Sequence, residues 1–137
     1  MHHALLLETD GWSPMPASNF LSHVGPVWTK TDGDVRRFGF LVEPKHDNTQ
    51  QRSHGCMIMT LCDDAMGKTA QAVRPDDLLF TATFDCQFMS GAKEGEFVEA
   101  RCEVVKSTRS LVFMRAICTV GDRVAAACSG VWKVQNR

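Results

Sequence analysis

The sequence predicts an α+β domain in which one long central helix packs against a curved antiparallel sheet of about six strands. Three observations support this fold class. Apolar side chains recur at helical spacing between Ile58 and Val73 and cover a wide arc, which is typical of a buried helix. Two strand-like segments precede that helix and four follow it. The turns that join these segments are short, which favours antiparallel pairing.

The N-terminal part of the chain is predicted to be an arm attached to a single domain. Residues 1–16 contain a glycine and two prolines with little apolar periodicity, which predicts an extended conformation. Apolar residues within 19–24 allow one or two helical turns, which Gly25-Pro26 would end. We therefore divide the chain into an N-terminal arm, 1–17, and one domain, 18–137.

Six segments have the composition of strands. Two precede the helix, at 27–31 and 35–42, and the turn signal Asp32-Gly33-Asp34 between them predicts a hairpin. Four follow the helix and are rich in Val, Phe, Thr and Cys, at 78–89, 96–106, 111–120 and 123–134. Glycine-containing or short polar turns join these four segments, so we expect a meander of antiparallel neighbours.

The central helix is predicted to run from about His54 to Val73. The loop before it, 45–53, contains no apolar residue, and Pro75 would terminate the helix. Gly55 places a backbone N–H group without a side chain at the helix start, where the helix dipole is positive. Such a helix start can bind an oxyanion.

Two adjacent carboxylates on this helix are predicted to face different surroundings. Asp64 lies four residues before Lys68 on the polar arc, which is the spacing of a solvated ion pair. Asp63 lies instead at the border of the apolar arc. Its neighbours on that side are small, namely Cys56, Gly67 and Ala70. A carboxylate among small residues at the edge of a buried face indicates a narrow cleft.

Length and charge exclude several classes of protein. A chain of 137 residues fits one domain and is long enough to bury a substantial core. A net charge of −1 and a pI near 6.5 give no electrostatic support for binding to nucleic acid or to a membrane surface. No apolar run approaches the ~20 residues of a membrane span, and the N-terminus lacks a secretory signal pattern. We expect a cytoplasmic protein.

The cysteines are predicted to be reduced. Disulfides would be expected in a small secreted protein, but no two cysteines here have Cys-x-x-Cys spacing and each lies in an apolar run. We assign all six to the core, at positions 56, 62, 86, 102, 118 and 128. His46, Asp47, His54 and Asp63 lack a recognised ligand spacing, so we predict no metal site.

A motif also spans the loop and the helix start. It consists of Asn48, then His54-Gly55 after five residues, then Thr60-Leu61 and Asp63. This pattern resembles the signature of hotdog-fold thioesterases, particularly the PaaI-like acyl-CoA thioesterase group. Cys56 stands where the family has the second glycine of His-Gly-Gly, which narrows the space beside the helix start and leaves the Gly55 amide available. The resemblance covers about 18–134 and implies the hotdog fold, in agreement with the periodicity.

The resemblance implies a role for several residues of the motif. Asp63 would act as general base, or alternatively as nucleophile, in hydrolysis of an acyl-CoA thioester, and the Gly55 N–H would form the oxyanion hole. Asn48 would position water or substrate. His54 either shapes the loop through backbone hydrogen bonds or acts as a general acid or base.

The strand after the helix carries a second point of resemblance. Its end, Met-Ser-Gly-Ala-Lys at 89–93, resembles a family segment with proline in place of Gly91. Counting back from that segment places Thr81 where relatives have a hydroxyl that orients water. Thr81 can equally be an ordinary β-branched strand residue.

Five further residues are candidates for substrate binding. Lys93 and Arg109 lie in or beside turns where relatives meet the CoA phosphates, although basic residues in turns are often only solvated. Cys56, Met59 and Thr60 lie near the helix start and are assigned to substrate contacts. A nucleophilic role for Cys56 has no support in the family.

The geometry of one helix predicts an oligomer. Gly55 and Asp63 are eight residues apart, or ~12 Å along the helix axis, so one carbonyl cannot contact both. Antiparallel helices from two subunits would bring them together and create two composite sites in a symmetric dimer. The resemblance implies the same arrangement, as a homodimer or as a homotetramer formed by two dimers. The expected ligand is an acyl-CoA substrate, with no cofactor.

Two other functions remain open at the level of sequence. A hotdog domain could bind acyl-CoA without turning it over, although a pure binder has no use for a carboxylate beside a thioester. Hydration or dehydration of an acyl thioester also occurs on this fold. The resemblance associates that chemistry with a histidine and an acid in one site, a pair that His54 and Asp63 could provide.

Overall fold

The computed structural model describes residues 2–17 and 19–135. Its helices are α1 (His2–Thr9), α2 (Phe20–Val24) and α3 (Gly55–Val73), with one short 3-10 turn at Pro44–His46. Its strands are β1 (Ser13–Pro14), β2 (Trp28–Asp32), β3 (Val35–Leu41), β4 (Leu78–Phe88), β5 (Phe97–Ser107), β6 (Leu111–Val120) and β7 (Arg123–Gln135). Met1, Ser18 and residues 136–137 lie outside the described residues, and with them the predicted start and end of the domain.

All seven strands belong to one antiparallel sheet in the order β1-β2-β3-β5-β6-β7-β4. The predicted fold class is confirmed, because one long helix lies against this curved sheet as in the hotdog fold. The sequence predicted about six strands, and the additional one is the two-residue β1. The predicted β2–β3 hairpin is also confirmed, with Gly33 in the left-handed region that the turn requires (φ +64°).

The predicted meander is correct for β5, β6 and β7 but wrong for β4. Strand β4 pairs with β7 at the edge of the sheet, whereas β5 pairs with β3 and β6. The connection from β4 to β5 crosses the end of the sheet, where the carbonyl oxygen of Ala92 accepts the N–H of Ser53 (2.7 Å). Ala92 is fully buried there, so this short connection is held by the loop before α3 and does not close a hairpin.

Helix α3 supplies one wall of the core, as predicted. Leu61, Ala65 and Met66 are fully buried and pack against large side chains of the sheet such as Phe38 and Phe40. Close approach to the sheet requires a small residue at Gly67, where a β-carbon would lie 3.2 Å from the indole nitrogen of Trp132. The helix begins one residue later than predicted, because His54 is its N-cap.

The extended conformation predicted for residues 1–16 is wrong for the first part of the arm, which forms α1. The arm then returns to the sheet and pairs with β2 through Ser13 and Pro14. Trp12 and Met15 are buried, and the Trp12 ring meets Phe97 edge to face at 4.8 Å. The indole and thioether side chains therefore tie the arm to the sheet, a long-range packing that local periodicity does not reveal.

The thiols are all free, but the prediction that all six belong to the core is wrong for one of them. Cys62, Cys118 and Cys128 are buried, and Cys86 and Cys102 are partly exposed. Cys56 is exposed at the start of α3. Within residues 2–17 and 19–135, no helix combines the length and apolar character needed to cross a membrane.

Candidate active site

The loop before α3 is anchored by a buried histidine. His46 is 4% exposed, its Nδ1 accepts the backbone N–H of Glu43 (3.0 Å), and its Nε2 donates to the carbonyl oxygen of Val24 (2.6 Å). Because Nδ1 is an acceptor, this pairing places the ring proton on Nε2. The carbonyl oxygen of His46 in turn accepts the N–H of His54 (2.6 Å), so the two ends of the loop are joined.

Asn48 shapes the same loop. Its side-chain oxygen accepts the backbone N–H groups of Gln50 (2.8 Å) and Arg52 (3.1 Å). The backbone N–H of Asn48 donates to the Arg52 carbonyl (2.7 Å). This is the turn-forming role of an asparagine. Its NH₂ group makes no hydrogen bond to any residue that the structure describes. The amide is therefore held rigidly by its oxygen and keeps two donors for a ligand.

Of the first two N–H groups of α3, the one of Cys56 is hydrogen-bonded within the chain and the one of Gly55 is not, among the described residues. His54 Nδ1 accepts the N–H of Cys56 (3.1 Å), as an N-cap side chain does. Nδ1 therefore acts as a hydrogen-bond acceptor for the backbone. This corresponds to the first of the two roles considered for His54, shaping the loop through backbone hydrogen bonds. The N–H of Gly55 has no acceptor among the described residues, so the donor proposed for the oxyanion hole is available.

A groove of about 490 Å³ opens at this helix start. Its polar wall comes from the loop, with Asn48, Gln50, Arg52 and Ser53. The opposite wall comes from α3 and from the end of β4 and the residues after it, with Gly55, Ile58, Phe88, Met89, Ser90 and Gly91. The Phe88 ring lies over Gly55, where a β-carbon would come within 3.0 Å of it. Phe88 and Met89 are 51% and 55% exposed, so the apolar wall faces outward.

Asp63 lies at a second cleft, of about 230 Å³. The hydroxyl of Thr81 donates to Asp63 Oδ1 at 2.7 Å, so the structure brings together these two predicted site residues. Thr81 immediately precedes an irregularity in the pairing of β4 with β7, and such bulges redirect side chains. The carboxylate itself is exposed, and Gly67 and Trp132 form part of the wall beside it.

The neighbouring Asp64 differs from its prediction. It forms the expected ion pair with Lys68, at 2.5 Å, but its side chain is only 15% exposed. Its second oxygen, Oδ2, is buried without a hydrogen-bond partner in the described part of the chain. The pair borders the same cleft as Asp63. The prediction of an ordinary solvated pair is therefore wrong, because the edge of the sheet shields this part of the helix.

The two clefts share no lining residue. Gly55 belongs to the groove at the helix start and Asp63 to the cleft two turns further on, which is ~12 Å along the axis. Within a single chain, the Gly55 N–H and the Asp63 carboxylate are therefore too far apart to contact the same bond.

The predicted substrate-binding residues line neither cleft. Thr60 donates its hydroxyl to the Cys56 carbonyl (2.8 Å) within the helix, and Met59 is partly exposed beside it. Lys93 and Arg109 are exposed in their connections, and the Arg109 carbonyl accepts Arg74 Nη2 (3.0 Å). Nothing in the structure tests the assignment of these five residues to the substrate.

Several groove residues were not singled out as site residues from the sequence. Arg52 packs across Gly91, where a β-carbon would lie 3.0 Å from its Cδ, so the glycine that replaces the family proline makes room for the arginine. Ile58 and Met89 reach the groove because α3 and β4 converge there. The one available signal was that Met89 begins the strand-end segment 89–93, which resembles a family segment. His46 gave no local signal, since its partner Val24 lies 22 residues away. No group of three or more metal-ligating side chains occurs among the described residues.

Comparisons with known proteins agree with this architecture. An esterase candidate of Pseudomonas aeruginosa, PA0474, is 27% identical over 126 residues, which cover 90% of this chain and 94% of that protein. The structure of the conserved protein PA5202 from Pseudomonas aeruginosa superposes with a TM-score of 0.80 at 20% identity, covering 87% of this chain and 95% of that one. The BH2602 protein of Bacillus halodurans, solved with CoA, gives a TM-score of 0.78 at 15% identity, with 99% and 88% covered.

The family model of the thioesterase superfamily matches residues 51–127. This range is more than half of the chain and contains α3, the Asp63–Thr81 pair, Gly55 and the apolar wall of the groove. The chain belongs to the thioesterase superfamily.

Proposed function

We propose that the protein hydrolyses an acyl-CoA thioester to the free acid and CoA. The observation that carries this proposal is the exposed Asp63 carboxylate, which accepts a hydrogen bond from Thr81 at 2.7 Å. It lies on a helix whose first N–H group has no acceptor among the described residues. Membership of the thioesterase superfamily supports hydrolysis, and the CoA in the BH2602 structure supports a CoA thioester as substrate. Among thioesterases, the motif from Asn48 to Asp63 most resembles the PaaI-like group.

In the proposed reaction Asp63 acts as general base. Thr81 donates to Oδ1, which leaves Oδ2 to take a proton from water as the water attacks the thioester carbon. The oxyanion that forms accepts the Gly55 N–H of the partner subunit. Collapse of this intermediate breaks the carbon–sulfur bond, and the proton held by Asp63 passes to the departing CoA thiolate.

The proposed site requires two subunits, because Gly55 and Asp63 of one chain lie ~12 Å apart. Strand β4 is an edge strand, and its residues Leu78, Phe80 and Phe88 are exposed, as is Met89 directly after it. Exposed apolar residues along an unpaired strand edge are a surface that association would cover. We therefore propose a homodimer, with a homotetramer of two such dimers as the larger assembly that the resemblance implies.

The groove beside Gly55 is the proposed acyl site. Ile58, Phe88 and Met89 offer an apolar wall, and the free NH₂ of Asn48 can orient the carbonyl or the water. For the CoA phosphates we retain Lys93 and Arg109, and for substrate contacts Cys56, Met59 and Thr60. We also propose a cytoplasmic location, where acyl-CoA is available.

The test is incubation of the pure protein with saturated, aromatic and enoyl-CoA thioesters, read by release of free thiol and by mass of the products. The proposal expects thiol release from at least one saturated or aromatic substrate. Hydrated acyl-CoA without thiol release would show a hydratase instead. Saturable binding without either product would show an acyl-CoA-binding protein and would overturn the enzyme assignment.

A further inference from the structure

Two cysteines face each other across neighbouring strands of the sheet. Cys86 of β4 and Cys128 of β7 are register partners, and their sulfur atoms are 3.0 Å apart. Cys128 is buried, whereas Cys86 is partly exposed on the edge strand. The thioesterase mechanism uses neither thiol.

The backbone pattern places this pair at a position that can accept a disulfide. The N–H of Met89 donates to the Ala125 carbonyl (2.8 Å), which marks these two residues as a hydrogen-bonded pair. Pairs alternate along antiparallel strands, and the register from Thr83 to Phe88 has no irregularity. Counting back three positions therefore makes Cys86 and Cys128 a non-hydrogen-bonded pair. The Cα atoms of such pairs are ~4.5 Å apart, within the ~4.4 to 6.8 Å that a disulfide spans.

A second thiol pair lies behind the first. Cys62 of α3 and Cys118 of β6 also have sulfur atoms 3.0 Å apart, but both are fully buried. The neighbouring thiols of Cys62 and Cys86 lower the pKa of the Cys128 thiol, in opposition to its burial, whereas burial raises the pKa of the Cys86 thiol. A lowered pKa raises the thiolate fraction and hence the reactivity toward oxidants and disulfides. Within a single chain, only the Cys86–Cys128 pair has a partly exposed member.

We propose that Cys86 and Cys128 form a peroxide-sensitive modification site that closes into an intramolecular disulfide. One thiolate of the pair attacks hydrogen peroxide, which yields a sulfenic acid and hydroxide. The second thiol then attacks that sulfur, forming the sulfur–sulfur bond and releasing water. The disulfide ties the edge strand that carries Thr81 to its neighbour β7. Its formation does not depend on thioesterase activity.

The experiment uses the intact protein. It is exposed to a small excess of hydrogen peroxide, then unfolded and alkylated, and its peptides are mapped by mass spectrometry before and after reduction with dithiothreitol. We expect two fewer alkylated cysteines than the six of the untreated protein, and a linked pair of peptides that contains Cys86 and Cys128. Reduction should restore all six alkylation sites.

Two variants make the assignment specific. Cys86→Ser removes the partly exposed partner with a small change in volume and should abolish the linked peptides. Cys56→Ser, which removes an exposed thiol on α3 distant in sequence from both strands, should leave them unchanged. The proposal is overturned if peroxide leaves all six cysteines alkylatable, if Cys86 ends as a sulfinic acid without a link, or if an equal loss of two thiols persists in Cys86→Ser.

Discussion

Individual side chains decide which of two adjacent carboxylates can act on a substrate. Asp63 is exposed and hydrogen-bonded to Thr81, whereas Asp64 is mostly buried against Lys68. The motif singled out Asp63, and counting back from the segment 89–93 singled out Thr81; the structure joins their side chains by a hydrogen bond of 2.7 Å. The burial of Asp64 could not be predicted, because it depends on how the edge of the sheet covers the helix.

Replacement of Asp63 by Asn keeps the shape of the side chain and removes the base. We expect kcat to fall by roughly 10²- to 10⁴-fold, the usual cost of losing general-base catalysis. Stability should change by less than about 1 kcal/mol, because the group is exposed. Asp64→Asn is the matched control and should show the opposite profile, with activity within about tenfold and a stability loss of about 1 kcal/mol from the weakened pair. Steady-state rates and urea unfolding of both variants distinguish the two residues.

Two substitutions separate the contribution of the Thr81 hydroxyl to activity from that of its β-branched shape. Thr81→Val keeps the branching and removes the donor, so kcat should fall about tenfold, as for the loss of a hydrogen bond to a charged group. Thr81→Ser keeps the donor and should remain near the activity of the unchanged protein. Equal activity of the Val variant would instead support the alternative that Thr81 is an ordinary strand residue.

At the scale of elements, apolar periodicity predicted those helices and strands whose position depends on local sequence. It placed α3 within one residue of each end and found β6 with its observed bounds. It missed α1, and it failed where distant contacts decide, in the β4 edge position and in the loop held by His46. The hydrogen bond of His46 to Val24 shows why, since no short-range pattern couples a loop residue to a carbonyl 22 positions earlier.

That loop yields a prediction about stability. His46→Ala leaves a cavity and an unpaired Val24 carbonyl, so the free energy of unfolding should fall by about 2 to 4 kcal/mol. His54→Ala removes only an N-cap bond at an exposed position and should cost about 1 kcal/mol. Urea unfolding at neutral pH measures both. A larger loss for His54 than for His46 would contradict the assignment of His46 as the anchor.

At the scale of the whole molecule, one chain holds the two parts of the proposed site in separate clefts. Gly55, the proposed donor, lines the groove at the helix start, and Asp63, the proposed base, lines a different cleft. The sequence predicted this separation from helix geometry alone, because eight helical residues span ~12 Å. It could not predict the walls of the two clefts, since one combines α3 with the preceding loop and the end of β4, and the other combines α3 with β4 and β7.

The N–H of Gly55 can be removed with little disturbance of the helix. Proline is tolerated at the first helical position and lacks the N–H group, so Gly55→Pro should lose activity by roughly 10²-fold or more. Gly55→Ala is the control, because it brings a β-carbon to the same Phe88 ring and keeps the N–H. We expect the Ala variant to retain clearly more activity than the Pro variant in the thiol-release assay. Equal losses would assign the effect to the contact with Phe88.

The most direct test of the shared site is a heterodimer of Gly55→Pro and Asp63→Ala subunits, co-expressed with two different tags and purified through both. Each parent homodimer lacks one half of every site and should be nearly inactive. The heterodimer joins the intact Gly55 of one subunit to the intact Asp63 of the other, so it should regain about half of the activity of a doubly tagged unchanged dimer. A heterodimer no more active than its parents would contradict a site shared between subunits.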